Sequence, residues 1–170
     1  MPPKKVAEPE EPAEPPPPTS GTGKFFYPGG ATYEGEWKFL APEVPEVPEA
    51  DKKKKPTEPV VPLEPPKRVR HGKGKYIEDR FIYDGDFADD VVTGTGKFSY
   101  PSGACYEGEW LNGEYQGTGK YSWPDGRSYQ GAWVGNKMHG HGVFTSADAH
   151  RWEGEFHNGS GPGLTCDLQK

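Results

Sequence analysis

Three groups of residues in this chain have the types that chemistry uses. Lys24, Lys97 and Lys120 each follow a Gly-Thr-Gly run, Glu34 with Glu36 and Glu107 with Glu109 set two carboxylates two residues apart, and His139 with His141 fall on one side of an extended segment. A lysine behind glycines can hold phosphate, paired carboxylates can share acid and base work, and histidines with Cys105 or Cys166 can ligate zinc. Their contexts do not support these uses. A phosphate loop requires Ser or Thr after the lysine, and Phe25, Phe98 and Tyr121 stand there instead. His71, His139, His141, His150 and His157 with the two cysteines nowhere supply four ligands at zinc spacing. The carboxylate pairs recur along the chain, whereas a unique active site should break a repeated pattern. No catalytic residue, metal or cofactor is therefore expected, and no enzyme.

What recurs is a cluster. YEGEW begins at Tyr33 and Tyr106, with YDGDF from Tyr83, YQGAW from Tyr129 and WEGEF from Trp152, so the last four lie 23 residues apart. Before it comes a second motif, GTGKFFYPGGATYEGEW from 21, GTGKFSYPSGACYEGEW from 94 and GTGKYSWPDGRSYQGAW from 117. Proline in YPGG, YPSG and WPDG presets φ for a turn, and the following glycine accepts a left-handed conformation, so each unit reads as a β-hairpin. The second hairpin, HGKGKYIEDRFIYDGDF, lacks these residues and has IEDR at its turn. Alternation places Tyr106, Gly108 and Trp110 on one face with Gly94, Gly96, Phe98 and Tyr100, and turns Glu107 and Glu109 to the other. Rings alternating with glycines build an apolar face. The acids keep the opposite face wet, within reach of Lys24, Lys97 or Lys120.

Proline divides the rest. Of 20 prolines, eight lie in residues 1–20 and eight in 38–70, and only 31% of the chain is hydrophobic. Such segments favour extended or disordered chain over packed core. The expected organisation is a Pro/Glu-rich tail at 1–20, a first hairpin at 21–37, a Pro/Lys/Glu-rich insertion at 38–70, four further hairpins at 71–163 and a C-terminal cap or tail at 164–170. The fold class is all-β, a single-layer antiparallel meander of ten or eleven strands.

YEGEWLNGEYQGTGKYSWPDG from Tyr106 and YQGAWVGNKMHGHG from Tyr129 resemble the MORN repeat, the membrane occupation and recognition nexus motif. The resemblance covers 21–37 and 71 to about 163, with a worn last unit, WEGEFHNGSGPG. It implies a repeat sheet without catalytic machinery, similar to the stand-alone MORN components of axonemal radial spokes in cilia and flagella. That resemblance implies a cytoskeletal scaffold in the cytoplasm, working by protein–protein interaction; membrane lipid is the alternative partner, since related repeats sit at membranes.

Charge bears on that choice. Residues 71–170 hold 9 Lys and Arg against 14 Asp and Glu, which disfavours anionic lipid and nucleic acid alike. No run approaches a membrane span, the start has no apolar signal segment, and two distant cysteines suit a reducing compartment. A single-layer sheet leaves its aromatic face uncovered, and a helix or extended peptide from another protein would fit such a face; a homodimer is compatible with it. The expected partner-binding residues are Tyr33, Trp37, Tyr83, Phe87, Tyr106, Trp110, Tyr129, Trp133, Trp152 and Phe156. Limited proteolysis should cut first within 38–70 and leave 94–160 intact; first cuts inside 94–160 would overturn this division.

Overall fold

The computed structural model describes residues 19–40 and 67–167. Eleven strands form one open sheet in sequence order, each antiparallel to its neighbours: β1 (Ser20–Phe26), β2 (Thr32–Phe39), β3 (Arg68–Glu78), β4 (Phe81–Ala88), β5 (Val91–Ser99), β6 (Cys105–Leu111), β7 (Glu114–Ser122), β8 (Ser128–Val134), β9 (Lys137–Thr145), β10 (Arg151–Phe156) and β11 (Thr165–Asp167). No helix occurs among the described residues, and the all-β single-layer meander expected from the repeats is the observed architecture.

Two kinds of turn alternate along the sheet. At the proline turns, the Tyr100 amide donates to the Ala104 carbonyl and the Trp123 amide to the Arg127 carbonyl, both at 2.9 Å. The unit that lacks the turn glycine closes in the same way, Ser146 N to His150 O at 2.9 Å, with Ala149 held at φ 64°. The IEDR segment turns on Asp79, at φ 52°, and Arg80, with Glu78 paired to Phe81. On the opposite edge the turns have two residues, both at positive φ: Asp89-Asp90, Asn112-Gly113, Gly135-Asn136 and Asn158-Gly159. Left-handed conformation at both central positions matches the twist of a hairpin and favours Asn, Asp and Gly.

Each of these turns is tied to the odd-numbered strand before it, β3, β5, β7 or β9. The Asp90 amide donates to the Arg70 carbonyl, Gly113 to Val92, Asn136 to Tyr115 and Gly159 to Met138, at 2.8 to 3.2 Å. Beside them the strands bulge. Gly108 pairs with Gly119 while Glu109 pairs with Gln116, so Gly117 and Thr118 are looped out. The same irregularity recurs between β2 and β3, β4 and β5, and β8 and β9, with Gly72, Gly94, Gly117 and Gly140 at φ 61° to 75°.

The core is a row of four tyrosines, Tyr33, Tyr83, Tyr106 and Tyr129, each at most 2% exposed. Each ring lies over a pair of glycines facing each other across two strands, Gly108 and Gly119 in the case of Tyr106. A Cβ at Gly119 would stand 2.6 Å from Tyr106 Cζ, so a side chain there collides with the ring. Hydroxyls complete the row by donating to the carbonyl three residues on: Tyr83 to Asp86, Tyr106 to Glu109 and Tyr129 to Ala132, at 2.9 to 3.0 Å, and Tyr33 to Glu36 likewise.

The expected segment boundaries shift by a few residues. Ser20 belongs to β1, Lys38 and Phe39 to β2, and Arg68, Val69 and Arg70 to β3, because their backbones pair across the sheet. Thr165, Cys166 and Asp167 pair with β10 as an eleventh strand, and Leu164 packs on the core cluster beside Gly154. The remaining tail and insertion, 1–18 and 41–66, lie outside the described residues.

Two alanine–glycine exchanges should move stability in opposite directions. Gly119→Ala forces the Tyr106 ring aside and should cost about 1–3 kcal/mol, the usual range for overpacking. Ala149→Gly removes a left-handed alanine and should gain about 1 kcal/mol. Urea unfolding of the two variants beside the parent checks both signs.

Candidate partner-binding face

On the aromatic side, the rings at the end of each cluster stitch successive hairpins. Tyr106 is held edge-on between Trp110 and Trp133, with centroids at 5.2 and 5.4 Å and both interplanar angles 89°. Trp110 also meets Tyr83, and Trp133 meets Tyr129. Their indole nitrogens donate to the Gly96 and Gly119 carbonyls at 3.1 Å. Edge-to-face pairs of this kind add about 0.5–1.5 kcal/mol each beyond burial.

Eight of the ten residues expected to meet a partner are thus enclosed: Tyr33, Tyr83, Phe87, Tyr106, Trp110, Tyr129, Trp133 and Phe156 are all buried. This corrects their assignment. A ring that sits on a glycine pair and is flanked by neighbouring rings presents no face to a second protein. Trp37 is half-buried, turned toward Phe25 and Phe39 with the Arg68 guanidinium 5.0 Å over it, and Trp152 is 38% exposed.

The reachable rings belong to the other strand of each hairpin. Phe98, Tyr100, Tyr121, Trp123 and Phe144 are half-buried and pack against the core from one side only. They form a continuous strip, with centroid separations of 4.6 Å from Phe98 to Tyr100, 6.2 Å on to Tyr121, 4.7 Å to Trp123 and 6.0 Å to Phe144. Beside it, Tyr115, Tyr121, Trp123, Trp133 and Met138 line a cleft of about 240 Å³ that Lys137 and Asn136 border. Tyr100 and Tyr115 hydrogen-bond through their hydroxyls across the strip. Sequence alternation placed Phe98 and Tyr100 on this face but could not tell which row of rings the glycines would swallow.

The opposite face is a ladder of alternating charge. The register sets Lys24, Glu34, Lys75, Asp84, Lys97, Glu107 and Lys120 side by side, one per strand. Ion pairs close between Lys24 and Glu34 at 3.1 Å and between Lys97 and Glu107 at 3.5 Å, exposed contacts worth a few tenths of a kcal/mol. The second acid of two clusters has another use. Glu109 accepts the Thr118 amide at 3.0 Å and Asp86 the Thr95 amide at 2.9 Å, so they secure the bulges at Gly117 and Gly94. The Thr95 hydrogen bond, with help from Lys73, holds the Asp86 carboxyl below its ordinary pKa.

Comparison with known families agrees with this geometry. Residues 69–77, 83–105, 106–126 and 129–151 match the family model of the MORN repeat. Over these four segments the chain is similar to MORN repeats. Comparison with curated proteins found no match. MORN repeats serve as protein-interaction or membrane-association modules. The first hairpin lies outside the matched residues yet has the same elements, with Tyr33 over Gly35 and Gly74. No group of metal-ligating side chains occurs among the described residues.

Burial raises the pKa of the core tyrosines, Tyr33 to about 12, and Tyr83, Tyr106, Tyr115 and Tyr129 upward as well. A raised tyrosine stabilises the fold fully below the unfolded value of 10 and loses that contribution as pH climbs through the folded value. Absorbance titration near 295 nm should therefore show some tyrosines ionising as in free peptide and the core set only together with alkaline unfolding. Reversible ionisation of all nine tyrosines near pH 10 with the fold intact would contradict the buried row.

Proposed function

We propose that this chain is a non-enzymatic scaffold subunit that docks a helix or extended segment of a partner protein on its aromatic face. The single observation that carries the reading is the strip from Phe98 to Phe144, which no second layer covers among the described residues. Half-exposed Trp and Tyr side chains beside an apolar cleft are the groups that most often dominate binding energy. The charged face supports the same choice, because alternating Lys and acid neutralise one another and leave no basic field for anionic lipid. Its placement in a ciliary axonemal assembly such as a radial spoke, in the cytoskeleton of the cytoplasm, rests on the family resemblance alone.

Trp123→Ala and Tyr121→Ala should each weaken partner recovery from ciliated-cell extract by about 2 kcal/mol, roughly thirtyfold, while thermal unfolding stays close to that of the parent. Trp110→Ala and Trp133→Ala should lower thermal stability instead, because those rings hold hairpins together. Full recovery by both strip variants would refute the docking face. Strong, salt-sensitive flotation with phosphoinositide vesicles would replace it with a lipid-binding function.

A further inference from the structure

Among the described residues nothing pairs with the outer edge of β1. It runs from Ser20 to Phe26 without proline, bulge or positive φ, whereas β11, at the opposite edge of the sheet, has only three residues. A long flat edge of this kind is a template for another strand. Which backbone groups it offers follows from the bonds to β2. The Phe39 amide donates to the Thr19 carbonyl and the Tyr27 amide to the Ala31 carbonyl, so the odd-numbered residues of β1 face β2. Alternation turns the N–H and C=O groups of Ser20, Thr22, Lys24 and Phe26 outward.

These outward residues are complementary to themselves. With two β1 strands antiparallel and Gly23 opposite Gly23, Ser20 of each copy meets Phe26 of the other and Thr22 meets Lys24, so every outward N–H and C=O finds a partner. A slip of two residues in either direction loses this. One slip sets Lys24 against Lys24 and Ser20 against Pro28, and the other sets Phe26 against Pro18; neither proline has an N–H to give.

Side chains fit the same register. Gly23 and its copy become a non-hydrogen-bonded pair, the closest kind, with about 4.5 Å between Cα atoms. Gly35 spends its backbone groups on β1, so Gly35 and Gly74 already form such a bare pair within the sheet. Phe25, whose ring leans over Gly23, stands opposite Gly21 of the second copy. On the polar face Phe26 is 75% exposed and gains Ser20 and Thr22 of the second copy as neighbours. The two Lys24 side chains near the axis each keep Glu34 as counterion at 3.1 Å. We propose that two copies of this chain pair antiparallel through β1, with Gly23 at the twofold axis, into one continuous sheet of twice eleven strands whose aromatic faces lie on the same side. The pairing does not depend on what the aromatic strip binds.

Sedimentation velocity of the full chain at rising concentration should reveal a species of twice the 18.7 kDa chain mass. Thr22→Pro removes an outward N–H and no bond to β2, so this variant should sediment as a monomer with the circular dichroism of the parent. Crosslinking reads the register. Thr22 and Lys24 of the second copy form a hydrogen-bonded pair about 5.5 Å apart at Cα, within disulfide reach. In a chain carrying Cys105→Ser and Cys166→Ser, mixing the Thr22→Cys and Lys24→Cys versions under oxidation should give the mixed disulfide in several-fold excess over either like pair. A parent that stays monomeric throughout overturns the proposal, as does a Thr22→Pro chain that dimerises like the parent. Where Thr22→Pro loses its β-sheet spectrum, the disulfides decide alone: an excess of mixed bridges sustains this pairing, and like bridges in equal or greater yield, or no bridges, refute it.

Discussion

A tyrosine ring resting on two opposed glycines is the contact from which the rest of this sheet follows. A single layer has no second sheet or helix to exclude water, so its core must come from side chains lying flat on their own backbone. That requires bare backbone beneath the ring, and Gly108 facing Gly119 or Gly131 facing Gly142 provides it. Once the ring lies down, its hydroxyl reaches the carbonyl three residues on, and the next aromatic of the cluster stands edge-on against it. Burial, hydrogen bonding and ring geometry are satisfied by one five-residue motif.

Continuity between repeats comes from shared parts. Trp110 completes the site of Tyr106 and also that of Tyr83, so removing it would open two hairpins. The two-residue turns add a backbone tie to the odd-numbered strand before them, and the bulges, secured at Gly94 and Gly117 by an acid, give the strands room to place Val92 and Tyr115 against the core. Where the long insertion interrupts this scheme, Arg70 takes the position that Tyr115 holds elsewhere. Its guanidinium lies 5.0 Å over Phe87 and bonds to the side chain and carbonyl of Asp90. A planar cation can replace a ring in a stack because it presents a flat face to the π-system. The last unit is finished differently again, by Leu164 over Gly154 and a short pairing strand.

The two faces then differ in what they offer. The polar face spends its charges on its own neighbours and on bulges. The aromatic face keeps one row of rings half-covered, because each hairpin contributes more aromatic surface than one glycine pair can enclose.

How much was legible beforehand follows from the range of each interaction. Hairpin identity, strand alternation and repeat number depend on residues within one period of 23, so YPSG, the alternating glycines and the recurring YEGEW determined an all-β meander and its two faces. Asn112-Gly113 and Asn158-Gly159 even carried the turns between repeats in plain view. Which aromatics close and which stay open is a different matter. Tyr106 and Tyr121 have the same residue type, share a face and pair directly across β6 and β7, yet one is enclosed and the other half-exposed. Enclosure of Tyr106 depends on Trp133, which lies 27 positions away and reaches it only after β7 and β8 have been laid down in register. Contacts of that span exist in the assembled sheet alone, so tertiary structure, not sequence, decided that the YEGEW rings are the core and that the strip through Trp123 stays half-exposed.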